Sequence, residues 1–366
     1  MNFDLTTDQQ LLADTIDRMF ASRFPLSFVR EIFDGSEGHA EDPWRAYSEL
    51  GLFAILVPTE YGGMGGELLD LAIAAERLGY AAAPGPFLEH VLATFAIAIG
   101  GSDEQKREWL PGLAEGRLRA TLAVAEIPAR WAMEEWAIGA NGQLQGEKHW
   151  VPYPELSDVT VVGISDGLTL VRKGAPGLSV LSRQGIDRTR RLATVRFDGV
   201  EHEPLAAGRS EVERVRDAAL ILLSADAYGA AARCVDMSVE YAKTREQFGV
   251  TIGHFQALKH QLADLALEVD PARFLYWYAA HAFDHLPHEA SRFAAMAKSH
   301  VTESAVQAGR RAVEYHGGIG FTWAHDVHFF LKRAIFDRAY FGDPGVHRAR
   351  VAALNEWDLS AAGDQA

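Results

Sequence analysis

Apolar residues recur at helical spacing at both ends of the chain and alternate at strand spacing in the middle. Leu11, Leu12, Ile16 and Phe20 fall on one helical face, with Thr6 or Thr7 placed to cap it. A second helix is predicted around Pro43–Leu50, ended by Gly51, and an apolar run follows over Leu52–Val57. The glycine-rich loop of residues 60–66 lacks a preceding strand and the spacing of a nucleotide fingerprint, so it reads as a turn into a helix over Leu68–Gly79. Pro84-Gly85-Pro86 breaks the chain before a helix around Phe87–Ile99, and Ser102 opens another that ends near Pro111. Residues 119–208 change to alternation and β-branched residues, as in Thr160-Val161-Val162, Leu168–Val171, Leu178–Leu181 and Thr194–Phe197, with a hairpin signal at Asn141-Gly142. Helical spacing then returns, with Ser210 and Glu213 at capping-box spacing. Long runs extend to Tyr241, over Leu258–Leu286 with a kink or a break at Pro271, over Ala290–Tyr315 and over Ala324–Phe341, and a short helix closes at His347–Trp357. The expected fold is mainly α with a central β domain: an N-terminal helical domain (1–118), a small, mostly antiparallel β domain (119–208) and a C-terminal four-helix bundle (209–366).

Composition narrows the function classes. The 366 residues are 48% hydrophobic and 23% charged, which suits folded domains with ample core. A formal net charge of -15 argues against nucleic acid and against an anionic membrane surface, since no basic field is available to displace counterions. No membrane span and no signal peptide are expected. The single cysteine, Cys234, sits in an apolar helical stretch and reads as a small buried hydrophobe, which fits a reducing cytoplasm.

One junction carries chemistry. Arg245-Glu246-Gln247-Phe248-Gly249 lies between two long apolar runs. It reads either as a helix end with a cation in the last turn and Gly249 as the stop, or as a ligand site in which a guanidinium fork meets phosphate or carboxylate. Other motifs decide its context: Glu49-Leu50-Gly51-Leu52, Val57-Pro58 with Glu60-Tyr61-Gly62-Gly63, Gly101-Ser102 with Glu104-Gln105-Lys106, Trp109-Leu110-Pro111, and His316-Gly317-Gly318-Ile319-Gly320-Phe321-Thr322. In this order and spacing they resemble the acyl-CoA dehydrogenase family of FAD flavoproteins along essentially the whole chain.

The resemblance implies that Arg245, Gln247, Phe248, Gly317 and Gly318 form a half-site for the ADP side of an FAD bound mainly by a neighbouring subunit. It also implies a carboxylate base that removes the α-proton of an acyl-CoA thioester. Here the sequence departs from the family. The two places where members carry that glutamate hold Phe341, in Tyr340-Phe341-Gly342, and Ala219. The flavin-facing segment reads Ala125-Glu126-Ile127-Pro128-Ala129-Arg130, without its serine loop, and Lys148-His149-Trp150-Val151-Pro152 has lost a threonine to proline. Trp150 reads as a retained flavin contact or as a packed strand tryptophan. The losses are one-sided, which resembles the base-lacking subunit of heterotetrameric acyl-CoA dehydrogenases of bacterial steroid side-chain degradation. That resemblance implies a homologous catalytic partner and a bulky acyl-CoA.

Two further readings stand beside it: a homomeric flavoenzyme with Asp343 or Glu314 as displaced base, and a non-enzymatic scaffold that keeps the fold. Asp343 also suits a turn in Gly342-Asp343-Pro344-Gly345, and Glu314 suits a solvated helix face or a pair with Arg310 or Arg311. His254, His260, His316, His325 and His328 lack a metal-site motif and read as structural, and Cys234 lacks a nucleophile motif.

Overall fold

Side-chain caps set several of the helix starts. Thr6 and Gln9 close a reciprocal capping box ahead of α1 (Thr7–Arg23), as do Ser102 and Gln105 ahead of α6 (Asp103–Ala114). Between them lie α2 (Leu26–Asp34), α3 (Glu41–Glu49), α4 (Leu68–Tyr80) and α5 (Phe87–Gly100). The computed structural model describes residues 4–35, 38–128, 130–139 and 142–355. Helix α2 is absent from the sequence expectation because Pro25 gives it no side-chain cap, although Val29, Ile32 and Phe33 form its buried stripe. Helix α6 continues past Pro111, held by the burial of Trp109, Leu110 and Leu113.

Among the described residues, seven strands follow in two sheets. β1 (Ala120–Ala123), β3 (Val159–Ile164), β4 (Gly167–Arg172) and β7 (Glu203–Pro204) form one, with β1 and β3 parallel. β2 (Leu144–Pro152), β6 (Leu192–Val200) and β5 (Leu178–Arg183) form the other, wholly antiparallel. In β2 the register slips between Lys148 and Val151, so His149 and Trp150 together oppose Thr194. Such a bulge re-aims the side chains on it. Asn141 of the expected hairpin lies outside the described residues.

The C-terminal part begins with α7 (Arg209–Thr244), which is capped through Gly208 and Glu211 rather than Ser210 and Glu213, because the helix starts before Ser210. The chain then makes a two-stranded hairpin, β8 (Glu246–Gln247) and β9 (Val250–Thr251). α8 (Gln256–Val269) and α9 (Ala272–His285) are separated at Pro271 as expected, and α10 (Pro287–Tyr315) follows. α11 (Val327–Ala339) starts later than Ala324 because Gly317–Phe321 forms a 3-10 turn. α12 (Pro344–Leu354) starts earlier than His347, with Asp343 as its cap and Pro344 in its first turn. α7 is long and apolar enough by composition to cross a membrane, but 89% of its most apolar window is buried inside the protein.

Two features fix the helices against each other. A Cβ on Gly229 of α7 would lie 2.0 Å from Glu76 O of α4, and one on Gly79 of α4 would lie 2.0 Å from Asp226 O of α7. The two backbones therefore touch, which only glycine permits. Beside this crossing, the fully buried Arg333 of α11 donates to Asp187 (2.6 Å), Thr189 (2.6 Å), Ala83 O (2.8 Å) and Asp226 (3.3 Å). One guanidinium thus ties α7 and α11 to the α4–α5 and β5–β6 connections. Asp337, one turn further along α11, is buried with neither carboxyl oxygen partnered by hydrogen bonding. Burial first, and the charge of Asp226 second, push its carboxyl well above the usual range.

A carboxyl with a raised folded-state pKa stabilises the fold fully below its unfolded value of about 3.9, and that contribution is lost as pH rises towards the raised value. Asp337→Asn is therefore expected to be more stable than the parent above neutral pH and to lose less stability on alkalisation. Arg333→Met, which takes the guanidinium from Asp187 and leaves Asp226 with Arg190 alone (3.5 Å), is expected to lose about 3–5 kcal/mol. Urea denaturation across pH measures both.

Candidate functional site

The sequence-singled residues fall at two places, and α11 separates them. Its 13 residues span about 20 Å at 1.5 Å per residue.

At one end, α7 stops at Thr244 with Arg245 as its C-cap, so Gly249 is not the helix stop. Phe248 and Gly249 instead form the tip of the β8–β9 hairpin, with φ of +55° and +81°. Positive φ at both central residues matches the twist of a two-residue hairpin turn. Phe248 is 93% exposed, and the Arg245 guanidinium has no hydrogen-bond or ion-pair partner among the described residues. Gln247 is exposed, and its side-chain amide donates to the carbonyl of Glu246 (2.7 Å). The second motif reaches the same end of the bundle. The Tyr241 ring, four residues before Arg245, packs on His316 at 4.6 Å, and Gly317 follows directly.

The glycines of that motif differ in kind. A Cβ on Gly320 would strike Val313 O at 2.3 Å, so internal packing requires glycine there. A Cβ on Gly317 or Gly318 would meet nothing within 4 Å. Gly317 has φ of +62°, whereas Gly318 has neither a positive φ nor a neighbour to make room for. Nothing among the described residues explains glycine at 318. Phe255, Ile319, Phe321 and Trp323 also expose apolar surface in these two motif regions.

At the other end, Phe341 follows α11 and is buried. The bulge in β2 points Trp150 towards it, and a third ring stands between them. Trp131 stacks on Trp150 (centroids 6.0 Å, 22°) and on Phe341 (5.4 Å, 28°), with Tyr340 edge-on at 5.2 Å. Trp150 and Phe341 both hold positive φ, +52° and +60°. For aromatic residues this is strain of order 1–3 kcal/mol each, kept only where the surroundings enforce it. The void left beside the stack is about 20 Å³, lined by Val124, Trp131, Trp136, Val215, Arg216 and Phe341 among others. It has room for about one water. Ala219, the other empty base position, is buried one helical turn beyond Val215. The carboxylates lining this void, Glu134 and Glu213, are each held by arginine: Glu134 by Arg209, and Glu213 by Arg209 (3.3 Å) and Arg216 (3.9 Å). A larger cavity, about 490 Å³, lies between α1, α4, α7 and α9, but none of the residues singled out by sequence lines it.

The connection that carries Trp131 is pinned from below. Lys148 is fully buried and donates to Glu126 (2.8 Å), with its ammonium 4.6 Å over the Trp136 ring. Burial pulls Lys148 down to about 8 against the attraction of Glu126. Burial pushes Glu126 up, but Lys148 and the amides of Ala137 and Ile138 outweigh it and hold the carboxyl below its ordinary value. Trp131, Trp136 and the Glu126–Lys148 pair escaped the sequence reading, because no spacing links residues 126–136 to 148–150 or 341.

Asp343 is exposed and accepts from Gly345 N (2.6 Å) and Val346 N (3.3 Å), which is a helix-cap role. Glu314 is exposed on α10, and Arg311, offered above as its partner, pairs with Glu268 (2.9 Å). His316 bonds Ala312 O (2.7 Å) and stacks near His325 at 4.3 Å, while His328 packs on Trp323 at 4.7 Å.

Lys148 binds its proton more weakly in the fold than unfolded, so stability rises as pH climbs from about 8 through the ordinary lysine range near 10.4. Glu126→Gln is expected to cost about 3 kcal/mol near pH 7, by leaving a buried ammonium unpaired. The cost should shrink towards pH 10, as read by paired denaturation curves.

Comparison with known proteins bears on the family and the fold. Residues 6–117 match the acyl-CoA dehydrogenase N-terminal domain and residues 217–354 the acyl-CoA dehydrogenase C-terminal domain. The acyl-CoA dehydrogenase IpdE2 of Mycobacterium tuberculosis is 36% identical over 330 residues, 89% of this chain and 91% of that protein. The IpdE2 of Mycolicibacterium smegmatis is 32% identical over 350 residues, 95% and 99% of the two chains. A solved steroid ACAD variant, Tcur3481-Tcur3483, superposes with a TM-score of 0.88 at 28% identity, over 95% of this chain and 97% of that one. The ChsE4-ChsE5 complex of Mycobacterium tuberculosis gives 0.88 at 24% identity over 96% and 98%, a likeness of fold.

Proposed function

We propose that this chain, which belongs to the acyl-CoA dehydrogenase family, is the base-lacking subunit of a heteromeric FAD-dependent acyl-CoA dehydrogenase. The family's reaction is oxidation of a CH–CH bond in an acyl-CoA thioester, and FAD, when bound, supplies the hydride acceptor. This chain offers the ADP-side half-site to an FAD held mainly by a homologous catalytic partner. The substrate is a bulky acyl-CoA, a steroid side-chain thioester being the best-supported class. Support for that class comes from the steroid ACAD among the similar structures.

The observation that carries the reading is the contrast between the two ends. The outward end suits a phosphate-bearing ligand. Arg245 presents an unpaired guanidinium fork. Gly317 and Gly318 leave open space where a Cβ would otherwise stand between backbone and ligand. Gln247 adds an amide, and Phe248 an apolar ring to bury against the partner. The inward end does not suit FAD. Its void is far smaller than a three-ring heterocycle, and Phe341 and Ala219 can accept no proton. The alternative of a displaced base has no support in the geometry: Asp343 caps α12 and Glu314 faces outward at the opposite end of the bundle.

Copurification from the native host should give a yellow complex with about one FAD per pair of unlike chains. In that complex Arg245→Ala should weaken FAD binding about tenfold to a hundredfold, the worth of a hydrogen bond to a charged group. Equilibrium dialysis read by flavin fluorescence measures it. Stoichiometric FAD with turnover on the isolated chain would refute the reading, and unchanged FAD content in Arg245→Ala would leave the scaffold reading in its place.

A further inference from the structure

Three flat side chains from three distant parts of the sequence meet at the inward end. Trp150 comes from the bulge in β2, Trp131 from the connection between β1 and β2, and Phe341 from the end of α11. The outer two lie within 30° of parallel to the middle one. Both outer residues hold φ in the left-handed region, where glycine would be at ease and an aromatic residue is not. Two strained residues gripping one ring are difficult to explain as incidental packing. The β domain and the bundle are shaped to hold a flat group at this point. The middle ring is fastened on several sides: Tyr340 meets its edge, and the same connection is tied down by Glu126 on Lys148 and by Trp136. Gly163 of β3 makes room for Trp136, since a Cβ there would lie 2.5 Å from the indole.

We infer that Trp131 is an internal occupant. Its indole fills a slot for a planar aromatic ring that the fold still forms between Trp150 and Phe341. Removing the indole opens a site for a flat, uncharged aromatic ring. The inference rests on the proposed function in one respect: it identifies this slot with the second flavin place of the heteromer, closed from within. The closure then sets the cofactor count, because a pair of unlike chains retains one usable ring site.

Indole is the probe, and the full chain is the material. Trp131→Gly should melt below the parent and be raised by millimolar indole by at least about 2 °C, a size typical of a ligand bound above its Kd. The parent and Trp131→Phe, which keeps a ring in the slot, should show no indole shift. Trp131→Ala also empties the slot while keeping both walls, so it should also gain an indole shift. It serves as the deciding variant if Trp131→Gly does not fold. Absence of an indole shift in both opened variants overturns the inference, as does an equal shift in the parent. The Arg245→Ala measurement is independent: lost FAD there with no indole site here would uphold the half-site and reject the filled slot.

Discussion

The fold depends on a charge that is not allowed to reach water. Arg333 is fully buried and finds partners on three separate segments, the α4–α5 connection, the β5–β6 connection and α7, so those segments have one mutual arrangement in which its donors are satisfied. Desolvating a guanidinium is costly, and only a complete set of acceptors offsets it. The glycine contact of α4 with α7 supplies the steric half of the same constraint. Once α7 and α11 are fixed this way, the positions of both candidate regions follow. The hairpin after α7 and the turn before α11 emerge together, and Phe341 arrives at the β domain.

The helix α11 therefore acts as a spacer with different chemistry at its two ends. Ahead of its buried first turn, residues 317–319 and 321–323 and the β8–β9 hairpin expose side chains and backbone. At its close Lys298 of α10 reaches under it, donating to the carbonyls of Asp337 and Arg338. A cation at that position satisfies the last carbonyls and opposes the helix dipole. His347 of α12 likewise bonds the carbonyl of Phe341 (3.0 Å). The left-handed turn at Phe341 is thus held by neighbours on both sides. An open end and a packed end coexist because the turn before this helix is left exposed while the turn after it is held by its neighbours.

The extent to which the sequence foretold this follows from range. Local signals were legible: the Thr6 and Ser102 caps, the break at Pro271, and an α–β–α order set by hydrophobic period. The shift of the α7 cap from Ser210 to Gly208 and the unpredicted α2 show the limit of capping rules where the cap is backbone alone. At the candidate site, the exposed residues could be singled out because their motifs are contiguous: five residues at 245–249 and seven at 316–322. Even there the local meaning of Gly249 changed, since a hairpin tip and a helix stop ask for the same positive φ. The filled half could be read only as a set of losses. That Trp131 occupies the space depends on strand register, a bulge and the end of a helix nearly two hundred residues away, none of which has a signature in spacing.

The uncovered hairpin tip has a colloidal consequence. Phe248, Phe255, Ile319 and Phe321 present apolar surface on a chain of net charge -15. Short-range attraction between such surfaces is opposed by repulsion that, at physiological ionic strength, reaches only about 8 Å. Two copies of this chain bring together twice that charge when their tips meet, whereas a less acidic chain meets the same surface with less opposition. Added salt shortens that repulsion further.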